Sequence, residues 1–172
     1  MTDRPAMIRI AYGLALFASP LLTSASLDAQ SLDSARFPWQ KGDPAPVIAG
    51  IALHASARTV DSVLGKAKET RVLETGTGGD TTRELEFPKR GLRVTVNDRA
   101  GVTALELLTR DAGALDSLRV EDKYGRVISH WGRPDWIESG ALFYSAGEWV
   151  IIVGWERGGA KVAWLQVTLA NR

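Results

Sequence analysis

The chain contains no cysteine, which excludes disulfides, thiolate metal sites, a cysteine nucleophile and an acylated lipoprotein anchor. Histidine occurs only as His54 and His130. Neither has a second histidine or a glutamate at a metal-ligand spacing, so no histidine metal site and no cofactor is expected. Charge of one sign is missing as well: the net charge is +1. That balance points to neither nucleic acid nor an anionic membrane as partner. Long apolar runs are absent apart from Ile10 to Leu22, about 13 residues broken by Gly13, Ser19 and Pro20, which is short of the ~20 a transmembrane helix needs. Arg4 and Arg9 precede it, and Thr23-Ser24-Ala25 and Leu27-Asp28-Ala29 follow as cleavage sites. Residues 1–29 therefore read as a signal peptide cut after Ala25 or Ala29, which implies a periplasmic or secreted protein with no stable membrane insertion.

What the chain does have is self-similarity. Leu53, Val60 and Gly65 recur as Val120, Val127 and Gly132 (120 − 53 = 67). Leu85, Phe87, Leu92 and Val94 recur as Leu142, Tyr144, Trp149 and Ile151 (142 − 85 = 57), and Leu105 and Leu107 as Leu165 and Val167 (165 − 105 = 60). One unit used twice, with insertions at turns, is the expectation: repeat 1 over 50–110 and repeat 2 over 111–172, preceded by a proline-rich extended arm over 30–49. Phe37 and Trp39 in that arm are expected to dock on the domain, since a free linker has little use for two large aromatics.

Each repeat reads as a short helix followed by an antiparallel meander, an α+β fold. In repeat 1, Ser56 is a candidate N-cap, Val60, Val63 and Leu64 form an apolar stripe, and Gly65 is a C-terminal stop. Strands are expected at Thr70–Thr75, Thr81–Phe87, Leu92–Asn97 and Val102–Leu108, because these runs alternate or are β-branched between glycine-rich turns. In repeat 2 the helix runs from Lys123 to Trp131, and strands are expected at Ala141–Tyr144, Glu148–Trp155 and Lys161–Leu169.

The Gly50-Ile51-Ala52-Leu53 run with Val60 and Leu64-Gly65, and Leu118-Arg119-Val120 with Val127 and Trp131-Gly132-Arg133-Pro134, resemble two related groups. These are the small outer-membrane assembly lipoproteins of the SmpA/OmlA family and the tandem-repeat β-lactamase inhibitor proteins. The resemblance spans Gly50 to Ala170 and implies paired α+β units whose sheets grip another protein. It departs from the lipoproteins in lacking a lipidation cysteine.

Strand alternation turns Leu85, Phe87, Leu92, Val94, Leu105 and Leu107 toward the repeat-1 helix and Glu86, Arg93, Thr95 and Ala104 away from it. At the equivalent outward places repeat 2 carries Phe143, Val150, Ile152 and Trp164. Left open, those four side chains would form a patch of several hundred Å², so something must cover it: the Phe37–Trp39 arm, the repeat-1 sheet, a protein partner, a second copy or a small apolar ligand. The candidate partner-binding residues are Phe143, Val150, Ile152 and Trp164, with Trp136 and Arg133 at the rim, and the expected partner is an envelope protein or a second copy.

Catalytic readings are weaker, and no enzyme is expected. Asp61 and Ser62 are adjacent on a helix and point apart, so Ser56, Ser62, Asp61 and His54 do not make a hydrolytic set, and the Gly-x-Ser-x-Gly elbow is missing. Gly76-Thr77-Gly78-Gly79 leads into a strand, whereas phosphate loops open a helix. Asp80, Glu84 and Glu86 read as exposed strand and turn carboxylates. His130, in the place of Val63 on the helix stripe, is expected to pack beside Trp131 at the core boundary, and His54 to lie in solvent. The rival functions are a carrier of a small apolar ligand and, last, a hydrolase using one of the histidines.

Overall fold

In the computed structural model, α1 (Ala57–Leu64) begins where Ser56 is extended and its Oγ accepts the Thr59 N–H at 3.1 Å; it ends at Gly65, whose φ is 83°. The expected cap and stop are both in place. Val60 and Leu64, one turn apart, are buried, whereas Val63 is 39% exposed, so the apolar stripe is only two side chains wide. The second helix, α2 (Tyr124–Trp131), repeats the pattern with Val127 and Trp131 buried and Gly132 as the stop. The structure describes residues 36–76, 79–155 and 159–170. The segment expected to be a signal peptide, the first residues of the arm and the tip of the Gly76–Asp80 turn lie outside them.

Eight strands form one antiparallel sheet in the order β1-β2-β3-β4-β8-β7-β6-β5. They are β1 (Glu69–Thr75), β2 (Thr81–Phe87), β3 (Leu92–Asn97), β4 (Gly101–Leu107), β5 (Trp136–Glu138), β6 (Ala141–Ser145), β7 (Trp149–Trp155) and β8 (Val162–Leu169). The α+β class stands. Each half is a helix followed by a four-stranded meander, and the halves join edge to edge where Ala104 to Leu107 of β4 pair with Thr168 to Leu165 of β8. Strand β5 is not among the sequence expectations. It holds three residues, too few for alternation to register, and its signal is the Ser139-Gly140 turn, whose φ values are 48° and 79°, the handedness that tight hairpins need.

The recurrence extends to the backbone. Positive φ occurs at Ala49, Gly50, His54 and Gly65, and again at Asp116, Ser117, Glu121 and Gly132 (116 − 49 = 67). Ile48 and Ile51 exchange two hydrogen bonds across the first of these turns, and Leu115 and Leu118 do the same across the second. Pairing register departs from the sequence alignment in one respect. Leu105 pairs with Val94, but it is Val167, not Leu165, that pairs with Ile151. The slip is two residues, which leaves every side chain on its expected face.

A single core fills the space between the helices and one face of the sheet. It contains Phe87, Leu92, Val94, Leu105 and Leu107 from the first half and Leu142, Tyr144, Trp149, Ile151, Leu165 and Val167 from the second, with Leu85 packed at its border. The arm docks here, as expected of its aromatics. Phe37 stacks on Tyr144 at 5.1 Å and meets Trp131 edge-on at 5.7 Å, while Trp39 lies edge-on to Trp131 and Trp149 at 5.9 and 5.8 Å. Trp149 Nε1 donates to the Asp43 carbonyl at 2.9 Å. The arm therefore closes the helix side of the second half.

Candidate binding face

The side of the sheet turned away from the helices is crossed by one ladder of paired residues: Glu69, Glu86, Arg93, Glu106, Gln166, Ile152, Phe143 and Trp136, one from each strand in spatial order. A parallel row runs Arg71, Glu84, Thr95, Ala104, Thr168, Val150 and Ser145. The face thus changes character at the seam between β4 and β8, from charged to apolar.

On the charged half Arg93 is the organising residue. Its Nη2 is 3.0 Å from Glu86 Oε1, its Nη1 2.9 Å from Glu106 Oε2, and its Nε 3.6 Å from Glu84 Oε2. Burial pushes the Glu106 carboxyl above the ordinary carboxylate value, and the Arg93 guanidinium only partly offsets this. Three carboxylates around one cation leave this half acidic and self-contained, with Glu84 and Glu86 half-buried in the network instead of exposed as the sequence suggests.

On the apolar half, Phe143, Val150, Ile152 and Trp164 all stand on the outer face and none belongs to the core. Among the described residues, two expected covers are absent. The arm sits on the opposite side of the sheet, and the first half lies beside the second in the same sheet instead of folding over it. The side chains shield one another instead: Phe143 stacks on Trp136 at 4.8 Å with ring planes 13° apart, and Val150 is only 7% exposed. Trp164 lies flat over its cross-strand neighbour Gly154, where a β-carbon would overlap its ring. An aromatic covering a strand glycine is a known stabilising pair. The open apolar area is therefore smaller than expected, and Trp136, at 42% exposed, is its most accessible large side chain on this face.

Trp136, Phe143, Val150 and Ile152 line an open depression of about 450 Å³ together with Ser145, Gln166 and Thr168. The structure brings these four expected residues together and leaves two out. Trp164 is one row away over Gly154, and Arg133, just after α2, is exposed and does not line the depression. Gln166 and Thr168 are additions; strand alternation from Trp164 places both on the same face, so the signal was in the sequence.

The histidines hold no catalytic geometry. His130 Nε2 lies 3.2 Å from Ser117 Oγ and 3.1 Å from Asp116 Oδ2, a Ser-His-Asp trio by composition. Both contacts fall on one ring nitrogen, however, whereas a relay needs the base to face the nucleophile with one nitrogen and its orienting acid with the other. The Asp116 carboxylate also accepts Trp131 Nε1 at 3.2 Å, which makes it a pin for the α2 C-terminus. His54 is exposed, with Nδ1 3.2 Å from the Ala100 carbonyl. Asp122, the buried charged side chain, accepts the Arg119 N–H and pairs with Arg110 and Arg126 at 3.2 and 3.3 Å, so its role is to hold the α2 entry. Among the described residues no group of His, Cys, Asp and Glu could hold a metal ion, and no helix is long and apolar enough to cross a membrane.

No family model and no curated protein matches the chain. Among solved structures it is similar to a cysteine-rich secretory protein from Staphylococcus aureus, at 12% identity and a TM-score of 0.52, over 78% of this chain and 50% of that one. It is also similar to an extracellular protein containing an SCP domain from Bacillus anthracis, at 7% identity and a TM-score of 0.40, covering 67% and 43% of the two chains. A third is a DUF4309 family protein from Bacillus subtilis, at 7% identity and a TM-score of 0.43, covering 70% and 83%. The chain spans half the length of the staphylococcal protein, and that likeness concerns the fold alone. None of the three carries the name of the lipoprotein or inhibitor groups that the sequence resembles.

Proposed function

We infer that this is an exported, non-catalytic binding module that holds a protein of the cell envelope against the outer face of its second half. The observation that carries the reading is the ladder from Glu69 to Trp136, charged on one side of the seam and apolar on the other, with neither the described part of the arm nor the described residues of the other half lying over it. Trp136 and Phe143 act as stacked anchors, Ile152 and Val150 as the apolar floor, and Gln166 and Thr168 as hydrogen-bonding rim. The recurring φ pattern and turn hydrogen bonds support a duplicated unit, in which one copy kept a wettable outer side and the other became a contact surface. The signal-peptide pattern points to the periplasm or the outside of the cell, a reading the secretory description of the staphylococcal neighbour supports.

A photoreactive residue at Phe143 or Ile152, irradiated in intact cells, should give a discrete protein adduct that the same residue at Thr95, on the charged half, does not. Adducts of equal yield at both places, or none at Phe143 and Ile152, would overturn the reading. Lipid retained in native mass spectra after incubation with lipid extract, and lost in Phe143→Asp, would assign the depression to a carrier instead.

A further inference from the structure

The same corner of the two halves is finished in two different ways. In the second half it is formed by Trp131, Tyr144 and Trp149, and the arm fills it with Phe37 and Trp39. Its counterparts in the first half are Leu64, Phe87 and Leu92 (131 − 64 = 67; 144 − 87 = 149 − 92 = 57). No described residue of the arm lines that corner. A cleft of about 380 Å³ lies there instead, floored by Leu64, Phe87 and Pro88 and surrounded by Lys66, Lys68, Lys89 and Arg90.

What sets this cleft apart is that four cations line it together. None has an acid within ion-pairing distance among the described residues, and no carboxylate lines the cleft. Two other arginines of this half are neutralised, Arg83 by Asp98 and Arg93 by three glutamates, while Arg58 and Arg71 stand without an ion pair among the described residues as these four do, though not around a shared cleft. At the equivalent positions the second half has Arg133, Asp135, Ala146 and Gly147, one charge of each sign. Lys66 and Lys68 follow α1 closely enough to complement its carbonyl end, which accounts for part of the charge. Lys89 and Arg90 sit on the β2–β3 turn, and that field does not require them. A cleft lined by one sign of charge concentrates counter-ions in proportion.

We propose that this corner binds an acidic peptide segment of a partner, an extended stretch that lays one apolar side chain over Pro88 and surrounds it with carboxylates. Two observations select a peptide. The counterpart corner is occupied by an extended segment with large apolar side chains, and the cation spread, on two chain segments either side of the floor, suits several carboxylates along a strand and not one compact anion. Leu64 and Phe87 are already 7% and 4% exposed, so charge, with the aliphatic stems of the lysines, carries the affinity. This site is separate from the outer face.

The probe is a fluorescein-labelled peptide, EDEFPED, with a single aromatic so that it does not mimic the arm, followed by anisotropy. The acidic peptide should bind at least about tenfold more tightly than KKKFPKK, and about 0.3 M salt should weaken it severalfold, as screening requires. Lys66→Glu combined with Lys89→Glu should weaken it at least tenfold, with Lys66→Gln and Lys89→Gln in between and Lys161→Glu, which does not line the cleft, without effect. The substituted side chains are exposed, so circular dichroism should be unchanged. Equal binding of the two peptides, or affinity unaltered by the double reversal, overturns the proposal. Binding of phosphatidylglycerol vesicles without binding of the peptide also overturns it and assigns the corner to a lipid surface. Neither result bears on crosslinking at Phe143.

Discussion

Removing the two arm aromatics, as Phe37→Ala with Trp39→Ala, tests whether the arm is part of the folded domain or a tail resting on it. A fully buried phenylalanine or tryptophan cut to alanine costs about 3–5 kcal/mol. Phe37 and Trp39 are partly buried, which brings each to about 2 kcal/mol. They touch at 5.3 Å, so their losses overlap, and the pair should cost about 3 kcal/mol rather than 4. If the arm then leaves the surface, the Trp149 Nε1 bond to Asp43 goes too, adding about 1 kcal/mol. A loss of 3–4 kcal/mol corresponds to a fall in melting temperature of roughly 6–16 °C for a domain of this size. Urea unfolding followed by circular dichroism measures it, and the tryptophan emission should shift to the red because Trp131 and Trp149 lose their cover. A loss under about 1 kcal/mol with unshifted emission would refute the reasoning, since the second-half core would then be closed without the arm.

Two further outcomes follow from packing and from ionisation. Gly154→Ala should cost about 1–3 kcal/mol by forcing the Trp164 ring off the strand, and in a Trp164→Ala background most of that cost should vanish; equal costs in both backgrounds, by urea melts of the four proteins, would contradict the contact. The Tyr144 hydroxyl donates to the Gly132 carbonyl at 3.1 Å, and burial pushes its pKa well above the ordinary 10.0. A raised folded-state pKa in an acid means that the unfolded chain loses its proton first, so stability is full below pH 10 and declines as pH rises beyond it. Tyr144→Phe should lose about 1 kcal/mol at neutral pH and show a shallower alkaline decline than the parent in urea titrations run at pH 9 to 11.

The local elements were legible because their signals are local. Ser56 and Gly65 mark a helix by cap chemistry, and glycine turns with alternating runs mark strands, so seven of the eight strands were visible; Trp136–Glu138 was too short to alternate. Face assignments held even where the alignment slipped, since a shift of two residues keeps the period. What the sequence did not disclose was which edge meets which. Pairing of β4 with β8 depends on residues about 60 positions apart, and that pairing decides that the two halves lie side by side and leave the outer face open. The arm was readable as a docking segment from Phe37 and Trp39, but its destination depends on the shape of the Trp131, Tyr144 and Trp149 corner. Trp164 was grouped with Phe143 and Ile152 by face alone; its seat on Gly154 is a cross-strand relation that only the register reveals.

The seam between β4 and β8 has a consequence for biogenesis. The partner that β4 needs at the sheet's centre, β8, comes more than 50 residues later in the chain (162 − 107 = 55), so β4 has no second neighbour until Val162–Leu169 has been made. Up to that moment it is a naked edge, ready to zip onto any extended polypeptide nearby. A fragment cut anywhere before Val162 would be permanently sticky, prone to pair β4 with β4 of a sibling fragment.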